Sequence, residues 1–381
     1  MRVLQIHNEY RNRGGEDVVV SREAELLRDA GHHVTQHLAR NPEGSVEATR
    51  SLVMAPWNPV SRTSASAVIE EAKPDVAHVH NTWFDLSPSV IGALARHEVP
   101  VVMSLHNYRL LCVNGLLLRD GLPCRLCVGN SPMPGVRYRC YRDSLPASAA
   151  AAVTLSLNRS VKTWDSVAMF LASSSFVAET YVQGGLDPKR IVVKPNFAPD
   201  PGPRRIPVED SDVVLYVGRL SSEKGIAFLA HLWSRLDTGL TLRVIGDGDA
   251  RPQLEEQYRG IEFMGHQEPS SIARQMVEAR ALLFPSTAFE ACPLVILEAF
   301  AAGVPVMANR RGAMTELVGR VDNGWLRAPE DVGNWTQGLS LVEDDRRVAR
   351  AGRRARAAYE SAFTPDMELN RLESAYETAI N

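Results

Sequence analysis

Two doubly wound α/β domains are expected from this 381-residue chain. Three features carry the expectation. Short buried-strand runs alternate with helical stretches, a Pro- and Gly-rich break near residue 200 is followed by a restart of the same alternation, and the strand-to-helix joints are built from Gly and charged residues. A hydrophobic content of 45% is enough for two cores. Charged residues make up 23% of the chain and the formal net charge is −3, which gives no reason to expect nucleic acid as a partner.

In the first half, Val3–His7 is a strand, and Gly14-Gly15-Glu16-Asp17 opens a helix over Val18–Ala30. Gly31 turns the chain into a second strand at Val34. Pro74–His80 is a short buried strand, Ser89–His97 a helix and Pro100–Leu105 a further strand. Residues 107–146 interrupt the rhythm: they are rich in Arg, Gly, Pro and Cys and form an insert. Helix returns at about 147–164, followed by strands at Ala168–Ser173 and Ile191–Val193. Phe197–Arg205, with three prolines and a glycine, has the composition of a linker.

The second half begins with the strand Val213–Gly218, the helix Gly225–Leu236 and the strand Leu240–Ile245. Ala281–Pro285 is a strand, Pro293 suits the first turn of a helix, Gly303 suits the position after its end, and Val304-Pro305-Val306 opens a new strand. Pro365–Ile380 is an amphipathic helix. The expected domains are residues 1–198 and 206–362, with residues 363–381 as a terminal helix. Met1-Arg2-Val3-Leu4-Gln5-Ile6 starts a strand at once, and the apolar stretch Ala147–Leu157 is Ser-interrupted and too short to cross a bilayer. The expectation is a cytoplasmic protein, with attachment to a membrane surface left open.

Glu290 and Glu298 stand eight apart, the first on the loop before a helix and the second about a turn and a half into it. A carboxylate accepts two hydroxyls, so this pair beside a helix N-terminus suits two sugar rings next to a phosphate. Arg219 and Lys224, five apart in Gly218-Arg219-Leu220-Ser221-Ser222-Glu223-Lys224-Gly225, flank a strand end and the start of the next helix. Arg grips a phosphate as a fork and Lys as a point charge; two surface cations on a loop is the competing reading. Gly246-Asp247-Gly248 is a strand-to-turn joint, and Met264-Gly265-His266 ends another strand, where the backbone either meets a base edge or simply stops. In the first half, Gly14-Gly15 permits close approach to a ligand or a plain tight turn. His106, beside Asn107 at the carboxyl end of a parallel strand, faces a cleft or packs in the core, and His80-Asn81 ends its strand in the same way.

Taken in order, Gly14-Gly15, Ser104-Leu105-His106-Asn107, Lys194-Pro195-Asn196, Gly218-Arg219 with Lys224, Gly246-Asp247-Gly248, and Glu290 to Glu298 resemble the retaining glycosyltransferases of family 4 across nearly the whole chain. The resemblance implies the GT-B fold, an α/β architecture of two Rossmann-like domains facing across a cleft, with the last helix crossing back to the first domain. It implies transfer of a sugar from a nucleoside-diphosphate-sugar donor to a hydroxyl acceptor, with polysaccharide, glycolipid and natural-product acceptors all compatible. Retention would proceed by front-side displacement, the leaving phosphate helping to deprotonate the acceptor; no carboxylate here is an obvious nucleophile. By the same resemblance His106, Glu290, Arg219 and Lys224 are the catalytic set. Arg219 and Lys224 would bind the diphosphate, Glu298 the ribose, Glu290 the transferred sugar, and His106 the sugar from the other domain. Gly15, Gly218, Gly246 and His266, with the helix-start residues Cys292, Pro293, Leu294 and Val295, would complete the donor site. Gly14, Glu16, His80, Asn107, Arg137 and Arg139 are the acceptor candidates. No catalytic cofactor and no metal at the phosphates is implied, because two cations supply the charge. Asn309-Arg310-Arg311-Gly312 departs from the commoner Gly-Gly loop at that position. Two rivals stay open: a same-fold sugar-nucleotide epimerase, and a nucleotide-sugar-binding scaffold without turnover.

The insert carries Cys112, Cys124, Cys127 and Cys140. A Cys-x2-Cys flanked by one cysteine on each side supplies four soft ligands for a tetrahedral structural zinc, with a disulfide or free thiols as alternatives. Arg137, Tyr138 and Arg139 suit a phosphate-bearing acceptor or a solvated loop. The Arg run from Arg346 to Arg356 is a solvated helix face, with a membrane surface as the other reading.

Overall fold

The computed structural model describes residues 1–11, 14–42, 44–319 and 322–381. The chain divides into two compact units, one of Met1–Arg119, Cys124–Pro195 and Asp366–Asn381, the other of Asp120–Pro123 and Asn196–Pro365.

The first unit holds a six-stranded parallel sheet: β1 (Arg2–Glu9), β2 (His33–Arg40), β3 (Val76–Asn81), β4 (Val101–Leu105), β5 (Met169–Ala172) and β6 (Ile191–Val193), in the order β2-β1-β3-β4-β5-β6. The order reverses between β1 and β3, so their carboxyl ends diverge into a crevice. Helix Gly15–Asp29 starts three residues earlier than expected, because Asp17 Oδ2 accepts the Gly14 N–H at 2.7 Å and caps the first turn. Helix Leu145–Ser160 begins and ends before its predicted bounds; Lys162 turns left-handed at φ 55° and a 3₁₀ turn follows at Thr163–Ser166. Helices Ser45–Met54 and Pro59–Ala72 go beyond the predicted elements, the second capped by Asn58, whose side chain accepts from Val60 and Ser61 N–H. Helix Pro365–Ile380 lies within this unit: Leu372, Ala375 and Tyr376 pack against Val3, Val76, Val102 and Leu171 of the sheet.

Beneath that helix the core is charged. Lys194 Nζ lies 2.7 Å from Glu23 Oε1 and also bonds Glu368, all three buried. Burial pushes the Glu23 carboxyl up to about 8; the Lys194 ammonium opposes this and the neighbouring Glu368 adds to it.

The second unit holds β7 (Val213–Val217), β8 (Thr241–Ile245), β9 (Glu262–Gly265), β10 (Ala281–Phe284), β11 (Val306–Asn309) and β12 (Gly324–Arg327). They form a parallel sheet in the order β9-β8-β7-β10-β11-β12. Alternate side chains feed two cores. Leu215, Leu282 and Phe284 meet Ile296, Phe300 and Tyr359 on one face, and Val214, Tyr216 and Leu283 meet Leu229 and Trp335 on the other. Both faces are covered, which is why these strands read as unbroken apolar runs. The linker is fastened to this unit: the Ala198 N–H donates to the Phe363 carbonyl at 3.2 Å, and its carbonyl accepts the Tyr359 hydroxyl at 3.1 Å. Among the described residues no helix is long and apolar enough to cross a membrane.

Candidate functional site

In the second unit the strand order reverses between β7 and β10, the first and fourth strands, and the loops leaving these two strands carry Arg219, Lys224 and Glu290. The loops are pressed together. Gly225, at φ 71°, approaches so closely that a Cβ there would sit 2.2 Å from the Pro285 carbonyl oxygen. That approach sets Lys224 Nζ 2.6 Å from Glu290 Oε1, and the Ser286 hydroxyl donates to the same oxygen at 2.6 Å. Burial raises the Glu290 pKa, but the Lys224 ion pair, the bonds from Lys224 and Ser286, and the Arg219 charge outweigh it, so the carboxyl titrates below its usual range. Arg219 is exposed. The β8 exit closes in from the other side: Gly246, at φ 140°, leaves only 2.0 Å between a Cβ and the Gly218 carbonyl oxygen.

The helix after Glu290 spans Leu294–Ala301, with Pro293 at its N-cap rather than inside its first turn. The Leu294 and Val295 N–H groups therefore have no carbonyl one turn back within the helix, the arrangement that favours an anion. Glu298 lies on this helix, half-buried, and Gly303 follows its end at φ 70°. Cys292 is buried, its carbonyl held by the Asn196 side chain at 2.9 Å. His266 is exposed, next after β9.

Sequence reasoning missed two positioning residues here. One is Ser286. The other is Asn309, whose amide donates to the Pro285 and Ser286 carbonyls at 2.7 and 3.0 Å and whose oxygen accepts the Trp335 indole N–H at 3.1 Å. A polar residue closing a buried strand was the available signal, the same one that singled out His106.

In the first unit, His7, His80 and His106 gather at the carboxyl ends of β1, β3 and β4. His80 Nδ1 and His106 Nε2 share a hydrogen bond at 3.0 Å with their rings stacked. Burial lowers the His106 pKa to about 3, helped by the charges of Lys194 and His7 and opposed by Asp17; burial also takes His80 well below its ordinary value. Both imidazoles are neutral at physiological pH. Glu16 Oε2 accepts the Tyr10 hydroxyl at 2.8 Å and the Asn107 amide at 3.2 Å, while its buried Oε1 lacks a hydrogen-bond partner. Burial raises its pKa against the His7 charge and those two bonds. Gly14, Glu16, Asn107, His80 and His106 thus lie in one neighbourhood; Gly15 is exposed at the first position of the helix that Gly14 caps.

Beside them is a cavity lined by His80, Trp83, His106, Arg109, Leu155 and Tyr181 among others. Arg137 and Arg139 do not line it. They are exposed, with Arg137 over the Tyr138 ring at 5.6 Å. Arg109, which the sequence did not mark, does line the cavity, stacked over Trp83 and Tyr141 at 5.1 and 5.2 Å.

Cys112, Cys124, Cys127 and Cys140 are unpaired and line a second, smaller cavity in this unit. Among the described residues, the group whose potential ligand atoms all lie within 4.8 Å of one another is instead Glu23, His78 and His80. Its chemistry does not suit a metal. The Lys194 ammonium already sits on Glu23, and both His78 nitrogens are engaged, with the Tyr376 and Ser104 hydroxyls at 2.8 Å each.

Comparison with known proteins agrees with this architecture. The family description "Glycosyl transferase 4-like domain" matches residues 14–196, and "Glycosyl transferases group 1" matches residues 211–345. The chain is 29% identical to glycogen synthase of Mycobacterium tuberculosis over 318 residues, covering 80% of this chain and 67% of that protein. It is 25% identical over 337 residues to a GDP-mannose-dependent alpha-mannosyltransferase of Corynebacterium glutamicum, covering 85% and 71%. The structure of Anabaena HepE in complex with UDP superposes with a TM-score of 0.69 at 18% identity, covering 98% of this chain and 99% of that one.

Proposed function

Because this chain belongs to the family 4 type of glycosyltransferases and has their GT-B fold, we propose that it moves a sugar from a nucleoside-diphosphate-sugar donor to a hydroxyl acceptor with retention at the anomeric carbon. One observation carries the residue assignment. The hydrogen bonds that Lys224 and Ser286 make to Glu290 both fall on Oε1. The ionised carboxylate is thereby fixed in direction, and Oε2 is left for a sugar hydroxyl.

In this reading Arg219 and Lys224 neutralise the leaving diphosphate. The N–H groups at the start of helix Leu294–Ala301 add to that stabilisation, placed in advance where charge develops. Glu298 accepts the ribose hydroxyls. Lys224 keeps two contacts at once, the Glu290 carboxylate and the phosphate, so it couples sugar position to leaving-group charge. The acceptor role goes to the first unit, to His106, Asn107 and Glu16, with neutral His106 as a hydrogen-bonding group and not a proton store. The acceptor proton passes to the leaving phosphate as the new glycosidic bond forms on the same face. The relatives' activities, glycogen synthesis and GDP-mannose-dependent mannosyl transfer, and the UDP held by the Anabaena protein support a nucleotide-sugar donor.

The test is product analysis by NMR with a donor and acceptor panel. Retention of the donor's anomeric configuration, with no covalent sugar adduct trapped on Glu290, supports the proposal. Inversion, or a trapped adduct, overturns it. Glu290→Gln, which keeps shape and removes charge, should lower kcat by about 10²-fold or more if the residue acts on the transition state.

A further inference from the structure

We propose that Cys112, Cys124, Cys127 and Cys140 bind one structural zinc ion, and that this ion fixes the wall of the cavity beside His106. Convergence is the first observation. The four cysteines lie on three stretches of the insert, separated by up to 28 residues, yet all four line one small cavity and none is paired. Four thiols without a harder ligand among them match the donor set of a closed, tetrahedral zinc site.

The second observation is the backbone around them. Of the eleven non-glycine residues with positive φ among the described residues, five lie in the insert: Leu117, Asp120, Arg139, Arg142 and Asp143. Such conformations persist only where something over-determines them. Regular structure is sparse: a five-residue helix, Met133–Arg137, and a hairpin of two two-residue strands, Leu118–Arg119 and Leu122–Pro123. Apolar burial is concentrated in its first part, where Tyr108, Leu111, Val113 and Leu117 are buried, while Leu116, Leu122, Leu126 and Met133 are exposed. A loop with a small core and strained turns is the setting in which a metal cross-link supplies the missing stability.

Charge and proton balance follow. Four thiols lose four protons, four Zn–S bonds form, and the site carries a net charge of two minus. Arg119, which lines the cavity and stacks over Tyr138 at 4.1 Å, offsets part of it. No three of the four sulfurs lie within 4.8 Å of one another in this structure, so binding draws the cavity-lining side chains inward to about 2.3 Å from the ion.

The link to the site is structural. Cys112 and Val113 line both cavities, and Arg109 bonds the Val113 carbonyl at 3.2 Å. Holding Cys112 therefore holds the segment that carries Arg109 and Asn107 next to His106.

The experiment needs no activity. The full-length protein, purified under reductant without added metal, is weighed by native mass spectrometry and analysed by plasma emission. One zinc per chain is expected, released in full when four thiols are titrated with an organomercurial. The double variant Cys124→Ser/Cys127→Ser should retain less than a tenth of it, and chelation of the wild type should speed amide exchange across residues 107–127. Cobalt substitution gives an independent reading, tetrahedral ligand-field bands with thiolate charge transfer. A folded wild type that is metal-free with four freely alkylated thiols overturns the proposal. So does a disulfide among the four, or full zinc retention in the double variant.

Discussion

Replacing Glu368 with Gln should remove one specific component of the protein's pH-dependent stability. Two buried carboxylates, Glu23 and Glu368, flank the single ammonium of Lys194. One charge is surplus, and Glu23, its pKa raised to about 8, holds the proton that neutralises it. The unfolded chain releases that proton near the ordinary glutamate value. Between roughly pH 4.5 and 8 the folded state therefore binds about one proton more, and stability falls as pH rises, by up to about 1.4 kcal/mol per pH unit. From pH 5.5 to 7.5 this amounts to a loss of up to about 3 kcal/mol. Buried His78, His80 and His106, with lowered pKa values, act in the opposite sense. They favour folding above their unfolded pKa and lose that contribution as pH falls.

The diagnostic is thus the difference between wild type and Glu368→Gln at each pH, in which the histidines cancel. Gln keeps the shape and leaves a one-to-one Lys194–Glu23 pair with no surplus charge. Urea titrations at pH 5.5, 6.5 and 7.5, read by amide exchange in peptides covering β1 and β3, report on this unit. The variant should gain on the wild type steadily across that range. A difference that does not change with pH would refute the shared-proton reasoning.

Three further outcomes are expected. Leu372→Ala should cost the first unit about 2–5 kcal/mol by urea denaturation, because Leu372 is fully buried between the terminal helix and the sheet. Gly225→Ala should lower the melting temperature and weaken nucleotide binding together, since its Cβ would meet the Pro285 carbonyl at 2.2 Å and push the Lys224 and Glu290 loops apart. The pH dependence of kcat/KM should show no ionisation from His106 between pH 5 and 9, because its pKa of about 3 keeps it neutral throughout; a limb in that range that disappears in His106→Asn would contradict this.

The candidate site could be read from the sequence because its residues sit where strands end. Arg219, Glu290 and His106 each follow an apolar run, and strand ends at a reversal of strand order are where parallel sheets bind ligands. The restart of the strand–helix rhythm after Phe197–Arg205 made the second sheet readable, and the even apolar runs of β7 and β10 made its two-faced burial readable. What stayed hidden depends on distance in sequence. Nothing near Glu23 announces Lys194, 171 residues on, or Glu368, 174 residues beyond that. Ser286 and Asn309 hold Glu290 and its loop through bonds that only the closed sheet creates. Helices Ser45–Met54 and Pro59–Ala72 were obscured by weak apolar periodicity, although Asn58-Pro59 is a start signal. Arg137 and Arg139, acceptor candidates by composition, are exposed, while Arg109, which composition did not single out, lines the cavity beside His106.

The central claim is that the loops leaving β7 and β10 hold a nucleoside diphosphate. Isothermal titration of the wild type with UDP, GDP, ADP and TDP tests it most directly, repeated with Arg219→Ala and Lys224→Ala. The account predicts that at least one nucleotide binds and that each variant loses about 1.5–3 kcal/mol of that binding, the range for a charge-assisted hydrogen bond, or roughly 10- to 150-fold in Kd. Binding undiminished in both variants, or no binding of any diphosphate to the folded wild type, would contradict it.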